Sequence, residues 1–468
     1  MALATTTATA EAAVVGEPAG GPAGRRGPGR LVDRLVAVGS EPVSGRSLAV
    51  VRVVVGAVGL LSAVRIVQYG WIDQLYTGPA HRFTYLGFGW VPQPSAPVMT
   101  GIVAAMAASS VALALGWRTR IAGAVLLVAF AWTELIDVTT YLNHYWFLTL
   151  ILTLGLVLPW DGRPSVARGW VWLVRFQAGV VYTSAGLAKL QGDWLVRAQP
   201  LRLWLPPRAD LPVVGPLLDD LATAHVMAVA GAAFDCSIVA LLLGRRARPW
   251  AWAALVGFHV CTWLLFPIGV FPWLMIGVST VFFAPDWPAR LRTRLPLGEL
   301  AIRSGGKPPD LIASSGVGGN RRGLLVGLAV VWVVVQVALP LRRLAYEGDH
   351  RWTGQGYRFA WNVLLVEKSG SVTFLVHDPA TGRTRATDGS GLYTRAQIQV
   401  MATEPDLIHQ AALALAATEA DRGRPGAEVR VDAWVSFNGR PPARFIDPTV
   451  DLAAEPRDLR DDAWILRR

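Results

Sequence analysis

Nine apolar stretches organise the chain, near residues 47–67, 97–116, 120–138, 143–159, 170–188, 221–243, 250–265, 271–284 and 323–341. A helix rises ~1.5 Å per residue and needs ~17–25 apolar residues to cross a bilayer. The pattern therefore predicts a polytopic α-helical membrane domain of about nine spans. The seventh and eighth stretches are short and flank Pro267-Ile268-Gly269-Val270-Phe271-Pro272, so one broken helix is an alternative there. After Pro340 the pattern changes. Residues 371–376 alternate as a strand, and Asp378-Pro379-Ala380-Thr381-Gly382 is hairpin-turn chemistry. Residues 394–422 read as helix, interrupted at Glu404-Pro405, with Thr394 as N-cap. A strand over 428–437 leads into Asn438-Gly439, a strong hairpin turn. The expected architecture is thus a disordered basic tail (1–45), a transmembrane domain (46–341) and a small extracytoplasmic mixed α/β, β-rich domain (342–468).

Composition agrees with a membrane protein. The chain has 468 residues, of which 53% are hydrophobic and 16% charged, where a soluble protein carries about a quarter charged. Its 20 tryptophans suit two long membrane interfaces. The net charge of +11 does not point to nucleic acid, because the basic residues sit beside apolar spans. Arg118 and Arg120; Arg163 and Arg168; Arg245, Arg246 and Arg248; and the run from Arg290 to Arg322 all fall on the side of the basic N-terminus. The opposite loops carry fewer charges, except 189–220 with Lys189, Arg197, Arg202 and Arg208. This bias predicts a multi-pass protein of the cell (plasma) membrane with a cytoplasmic N-terminus, and an odd span count then puts the C-terminal domain outside. Both cysteines, Cys236 and Cys261, lie in apolar stretches, which argues against thiol catalysis. No metal-ligand set is visible; His377-Asp378 in a turn is too little.

Lys189 is the residue with the most chemical promise. It ends an apolar stretch in VVYTSAGLAKLQGDWL. An amine there either snorkels to the headgroups or is held neutral by apolar surroundings and takes a proton. Tyr182, Ala185 and Gly186 precede it on one helical face, leaving room for a flat ring and offering the amine few partners. His144, at the start of the fourth stretch, is either an interfacial histidine or a donor to a developing oxyanion, with Asn143 to orient that ring or the quinol. His81, Tyr85, Phe88 and Trp90 in the 68–96 loop read as an aromatic belt or as a lid that excludes water. His259 is an intramembrane ionisable group, either functional or a helix–helix hydrogen bond. Glu134 and Asp137 are expected to pair with Arg52 or Arg65, and Asp235 is expected to be buried and paired.

Several runs together resemble the vitamin K-dependent γ-carboxylase family. They are HRFTYLGFGWVPQPS, YLNHYWF, FQAGVVYTSAGLAKLQGDWL, HVCTWLLFPIGVFPWLMI with FFAPDWP, WTGQGYRFAWNVLLVEKSGSVTF, and VSFNGRPPARFIDPTVDLA. The resemblance covers roughly residues 45–468 and implies a helical membrane domain, of the HTTM type, before an extracytoplasmic β-rich domain. It implies that Lys189 is the base that deprotonates vitamin K hydroquinone, that His144 supports that chemistry, and that Asn143, Tyr182, Gly186 and the aromatic loop bind the cofactor. Where animal members often have two adjacent lysines, this chain has Ala188-Lys189. The cofactor implied is reduced vitamin K (menaquinol or phylloquinone hydroquinone), with O2 and CO2 as co-substrates and no metal. The partners implied are membrane lipid, the quinol and a glutamate-containing polypeptide. In the outer domain Arg358, Trp361, Asn438 and Arg440 match family motifs. Either arginine offers a forked donor for a substrate carboxylate, against the plainer alternative of domain packing and salt bridges. Two other readings stand beside γ-glutamyl carboxylation: quinol epoxidation without carboxylation, and a non-enzymatic membrane protein whose outer domain binds a partner.

Overall fold

The computed structural model describes residues 28–294 and 319–468, with side chains from residue 34 to 293 and from 323 onward. Each of the nine apolar stretches contains a helix. The long helices are α1 (Pro28–Gly39), α2 (Arg46–Gln68), α3 (Ala96–Leu115), α4 (Thr119–Ile136), α5 (Asn143–Gly155), α6 (Arg168–Lys189), α7 (Leu221–Leu243), α8 (Arg248–Leu265), α9 (Phe271–Ser279), α10 (Trp287–Arg294) and α11 (Gly319–Leu341). Among the described residues five segments are long and apolar enough to cross a membrane: α2, α3, α4, α7 and Gly323–Ala345, which takes in most of α11 and the turn after it. The other apolar helices are shorter or more polar. α5 has 13 residues, most of them buried, and α6 carries Arg175 and Lys189. A helix surrounded by protein needs neither the length nor the uniform apolarity that lipid imposes. The interrupted pair is two helices, joined by a turn in which Gly269 has φ +59°.

Part of the expected disordered tail is ordered. Residues 1–27 lie outside the described residues, but Pro28–Gly39 is helical. Trp172 of α6 packs against Gly39. Pro42–Val43 pairs antiparallel with Val166–Ala167, and Arg168 bonds Glu41 at 2.7 Å. These contacts give residues 39–45 partners that a disordered tail would lack.

The C-terminal part follows the sequence reading closely. Its sheet has order β4-β3-β5-β6, all antiparallel, with β3 at Lys368–Asp378, β4 at Arg383–Thr387, β5 at Glu428–Phe437 and β6 at Ala443–Arg444 (β1 and β2 being the short pair above). Alternate residues Val429, Val431, Ala433 and Val435 face a core built with helices Arg395–Met401 and Pro405–Asp421. Thr394 caps the first of these in a capping box with Gln397. Asn438 and Gly439 both adopt positive φ, as a tight hairpin between β5 and β6 requires.

The aromatic 68–96 loop docks onto this domain. Phe83 is fully buried in the domain's core and stacks on Tyr393 with ring centroids 4.4 Å apart. The Thr84 N–H donates to Gln410, Arg457 donates to the Thr84 carbonyl, and Gln397 donates to the His81 carbonyl. In the other direction, residues 359–364 run from the C-terminal domain into the helical bundle. Trp361 is buried in the bundle core against Phe147. Phe359, Trp361 and Leu364 all have φ near +60°, a strained choice for large side chains that only strong surrounding contacts hold in place.

Candidate active site

Lys189 is the last residue of α6 and only 4% exposed. Its Nζ donates to Asp235 Oδ2 at 2.8 Å, with longer contacts to the carbonyls of Val363 (3.4 Å) and Ala185 (3.5 Å). The amine also lies over the Trp194 ring, 5.1 Å from its centroid. The expectation of a partner-poor amine is therefore corrected. Asp235 comes from α7, and the two helices meet closely because Gly186 has no side chain. A Cβ there would lie 2.8 Å from the Cys236 nitrogen and 2.9 Å from the Asp235 carbonyl carbon. Gly186 thus serves the helix contact that brings Asp235 to Lys189; it is not a wall for a ring.

The pair borders a cleft with a cavity volume of about 70 Å³. The walls are almost wholly apolar: Val181, Ala185, Leu201, Phe258, Phe266 and Phe271 among them. Tyr182 and His259 supply a second polar edge. Their Oη and Nε2 are 2.8 Å apart, both side chains are buried, and His259 Nδ1 has no hydrogen-bond partner. The peptide at Val363 and Leu364 closes another side. Sequence reasoning reached Lys189 and Tyr182 and marked His259, but it found neither the Lys189–Asp235 pairing nor this inserted segment. The one available signal was the coincidence of two buried, oppositely charged residues in neighbouring apolar stretches.

The remaining candidates lie elsewhere. His144 is buried but does not line the cleft; the Phe271 ring contacts both histidines, 5.9 Å from His144 and 6.1 Å from His259 between centroids. Asn143 does not orient that ring: it accepts from Tyr141 and donates to the Asn362 carbonyl. His81 and Tyr85 belong to the loop–domain junction, beside Tyr393 and Phe359 respectively, while Phe88 and Trp90 are 40% and 69% exposed. None of the four borders the cleft, so the lid reading is corrected; the loop's buried aromatics are used to hold the C-terminal domain. Glu134 and Asp137 do not pair with Arg52 or Arg65. Asp137 caps the following turn and accepts from Gln397, and Arg52 donates to the Leu113 carbonyl.

The C-terminal-domain candidates are engaged in structure. Arg358 pairs with Glu404 and Asp406 at 3.2 Å each. Arg440 donates through two nitrogens to Asp193, which also accepts from Asn438 Nδ2 at 3.3 Å. Burial pushes the Asp193 carboxyl up, but the bonds from Arg440 and Asn438 and the charges of Arg440 and Arg351 outweigh it and hold it below the usual carboxylate range. Asp406 is likewise held low, its burial outweighed by Arg358 and Arg457. Neither arginine is a free receptor for a substrate carboxylate, and Trp361 is core packing.

Two family models match the chain. Residues 40–287 match the family model of the HTTM domain, and residues 321–468 match that of the vitamin K-dependent gamma-carboxylase, lumenal domain. No solved structure matches the chain. With a bundle of apolar helices, a buried lysine at its cleft and a lumenal-type domain behind it, the chain belongs to the vitamin K-dependent γ-carboxylase family.

Proposed function

We propose that this is an integral membrane γ-glutamyl carboxylase that couples quinol epoxidation by O2 to addition of CO2 at the γ-carbon of glutamate in a secreted or membrane polypeptide. One observation carries the reading: in a chain of this family, a buried lysine–aspartate pair stands on the wall of an apolar cleft. We place the tail (1–45) in the cytoplasm, the catalytic domain (46–341), with about nine spans, in the plasma membrane, and the last domain (342–468) outside.

The cleft's residues fit a reduced naphthoquinone. Phe258, Phe266 and Phe271 offer flat apolar contact, and Lys189 Nζ and His259 Nδ1 are polar points available to hydroxyl groups. Bound there, the quinol supplies on reaction with O2 a base stronger than any side chain, which the weakly acidic γ-carbon needs. The protein's part is to take the first proton. Lys189 Nζ does so once it is neutral, and Asp235 provides the route. Across their 2.8 Å hydrogen bond Nζ passes its own proton to Oδ2, leaving an amine beside a carboxylic acid. Among apolar walls a neutral pair avoids the desolvation that an ion pair suffers. Tyr182 and His259 orient the other edge of the ring, and Trp194 and Leu364 help keep water out.

A second reading, epoxidation without carboxylation, has one observation in its favour: Arg358 and Arg440 already pair with acidic side chains. Full-length protein in nanodiscs, given hydroquinone, labelled bicarbonate and a glutamate peptide, separates the two. We expect epoxide and fixed label together, each reduced at least ~100-fold in Lys189→Ala, the scale of a lost general base. Epoxide without label supports the second reading. Neither product from folded, quinol-binding protein overturns both.

A further inference from the structure

His144 is buried, its Nε2 has no hydrogen-bond partner, and it stands outside the Lys189 cleft. Its surroundings contain a second unpartnered group. Arg65, in the last turn of α2, lies beside a pair of neighbouring aromatic rings, its guanidinium carbon 5.7 Å from the Tyr69 centroid and 5.5 Å from that of Trp71. Among the described residues the guanidinium donates no hydrogen bond and has no ion-pair partner, and Nη1 is buried. The side chain as a whole is half-buried, and it is the buried Nη1 that lacks the acceptor a desolvated N–H calls for.

Arg65 Nη1 and His144 Nε2 converge on one point, Gly269. A Cβ built there would lie 2.7 Å from Nη1 and 3.4 Å from Nε2. The two nitrogens are therefore no further apart than those distances together. The positive φ of Gly269 and its missing side chain keep the approach open. Tyr145 packs edge-on against His144 at 4.5 Å between centroids. Glu134 reaches Tyr145 electrostatically but forms no ion pair with Arg65, so the guanidinium fork is not neutralised. A fork of N–H donors beside an imidazole donor is the chemistry that recognises a planar anion with two oxygens.

We propose that Arg65 and His144, converging at Gly269, bind a carboxylate-type anion: the γ-carboxylate of the glutamate substrate or bicarbonate. The inference rests on the reading of the Lys189 cleft as the reaction centre. It puts the anion on the His144 side of the Phe271 ring, which lies beside both His144 and His259. The arrangement gives the carboxylase reading the free cation that Arg358 and Arg440 do not provide.

The test is direct binding by full-length protein in nanodiscs, read from the line broadening of two 13C probes: bicarbonate, and a short peptide labelled at its glutamate γ-carboxyl. The glutamine peptide is the neutral control, and quenching of tryptophan fluorescence by added quinol reports an intact cleft. We expect one of the two probes to bind the native protein, with affinity weakened at least tenfold in Arg65→Gln. Arg65→Lys, which keeps charge but loses the fork, should fall between, and quinol quenching should persist in both. The probe that binds names the source of the anion. Binding by neither probe, or equal affinity in all three proteins, overturns the proposal. Failure of the carboxylation assay with Arg65-dependent binding intact would leave this site standing and remove the wider reading. Label fixed by Arg65→Gln with unchanged KM for peptide and for bicarbonate would do the reverse.

Discussion

Two acid–base pairs lie four residues apart in the chain, and their settings are opposite. Lys189 meets Asp235 through one short hydrogen bond, facing an apolar cleft, with both side chains nearly inaccessible. Asp193 meets Arg440 through two nitrogens, gains a third bond from Asn438, and has Arg351 and Arg197 each at 3.8 Å. The second pair is saturated and joins the bundle to the C-terminal domain; in the first, the other contacts of Nζ are long, at 3.4 and 3.5 Å. A buried charge pair with few bonds contributes little to stability, because desolvation offsets attraction. Its presence on a cleft wall is better explained by proton chemistry. The saturated pair is a clamp.

Substitution separates these roles. Asp193→Ala leaves Arg440, Arg351 and Arg197 facing one another without their shared carboxylate. Removing one partner of a buried pair costs roughly 3–5 kcal/mol, and we expect the lower end because Arg440 keeps 24% of its side-chain exposure. Thermal unfolding of the C-terminal domain should shift down accordingly, with quinol binding lost only as the domain releases Leu364 and Val363. The contrasting variant replaces the cleft pair by apolar side chains of similar size, Lys189→Met with Asp235→Leu. Stability should stay within about 1 kcal/mol of the native protein or rise, while epoxidation disappears. A large loss of stability in that double variant would make the cleft pair a clamp as well.

A smaller effect comes from acid. Asp193 and Asp406 are held below the usual carboxylate range, so their contribution to folding is complete above an ordinary carboxylate pKa, near ~4. It is lost as the pH falls through their depressed folded values. Their share of the C-terminal domain's stability, read by limited proteolysis as the difference between native protein and variant, should be flat from neutral pH to about 4 and decline below it. Asp193→Asn should flatten that decline.

Much of the scaffold was legible in the residues. Apolar runs marked the helices, Thr394 and Gln397 marked a helix start, and Asn438-Gly439 marked a hairpin. What escaped was contact between distant segments. Asp235 is 46 residues from Lys189, and Val363 is 174 residues away. No local pattern announces either. Phe359, Trp361 and Leu364 adopt backbone angles that glycine or asparagine would normally signal, so their turn was invisible. The aromatic loop misled for a related reason. Aromatic side chains suit a lid, a membrane interface and a domain junction equally well, and only the stacking of Phe83 on Tyr393 distinguishes the last. Arg358 and Arg440 likewise have the right chemistry for a substrate carboxylate, but Glu404, Asp406 and Asp193 occupy them.

The most direct test of the account is the epoxidation rate of Asp235→Asn with Lys189 intact. Asparagine preserves the shape and a hydrogen-bonding oxygen but cannot receive the proton of Nζ. If the pair works as one base, hydroquinone turnover falls about 100-fold at neutral pH while quinol quenching of tryptophan fluorescence is retained. Turnover at the native rate with a native pH profile would contradict the account, leaving Lys189 to act without Asp235.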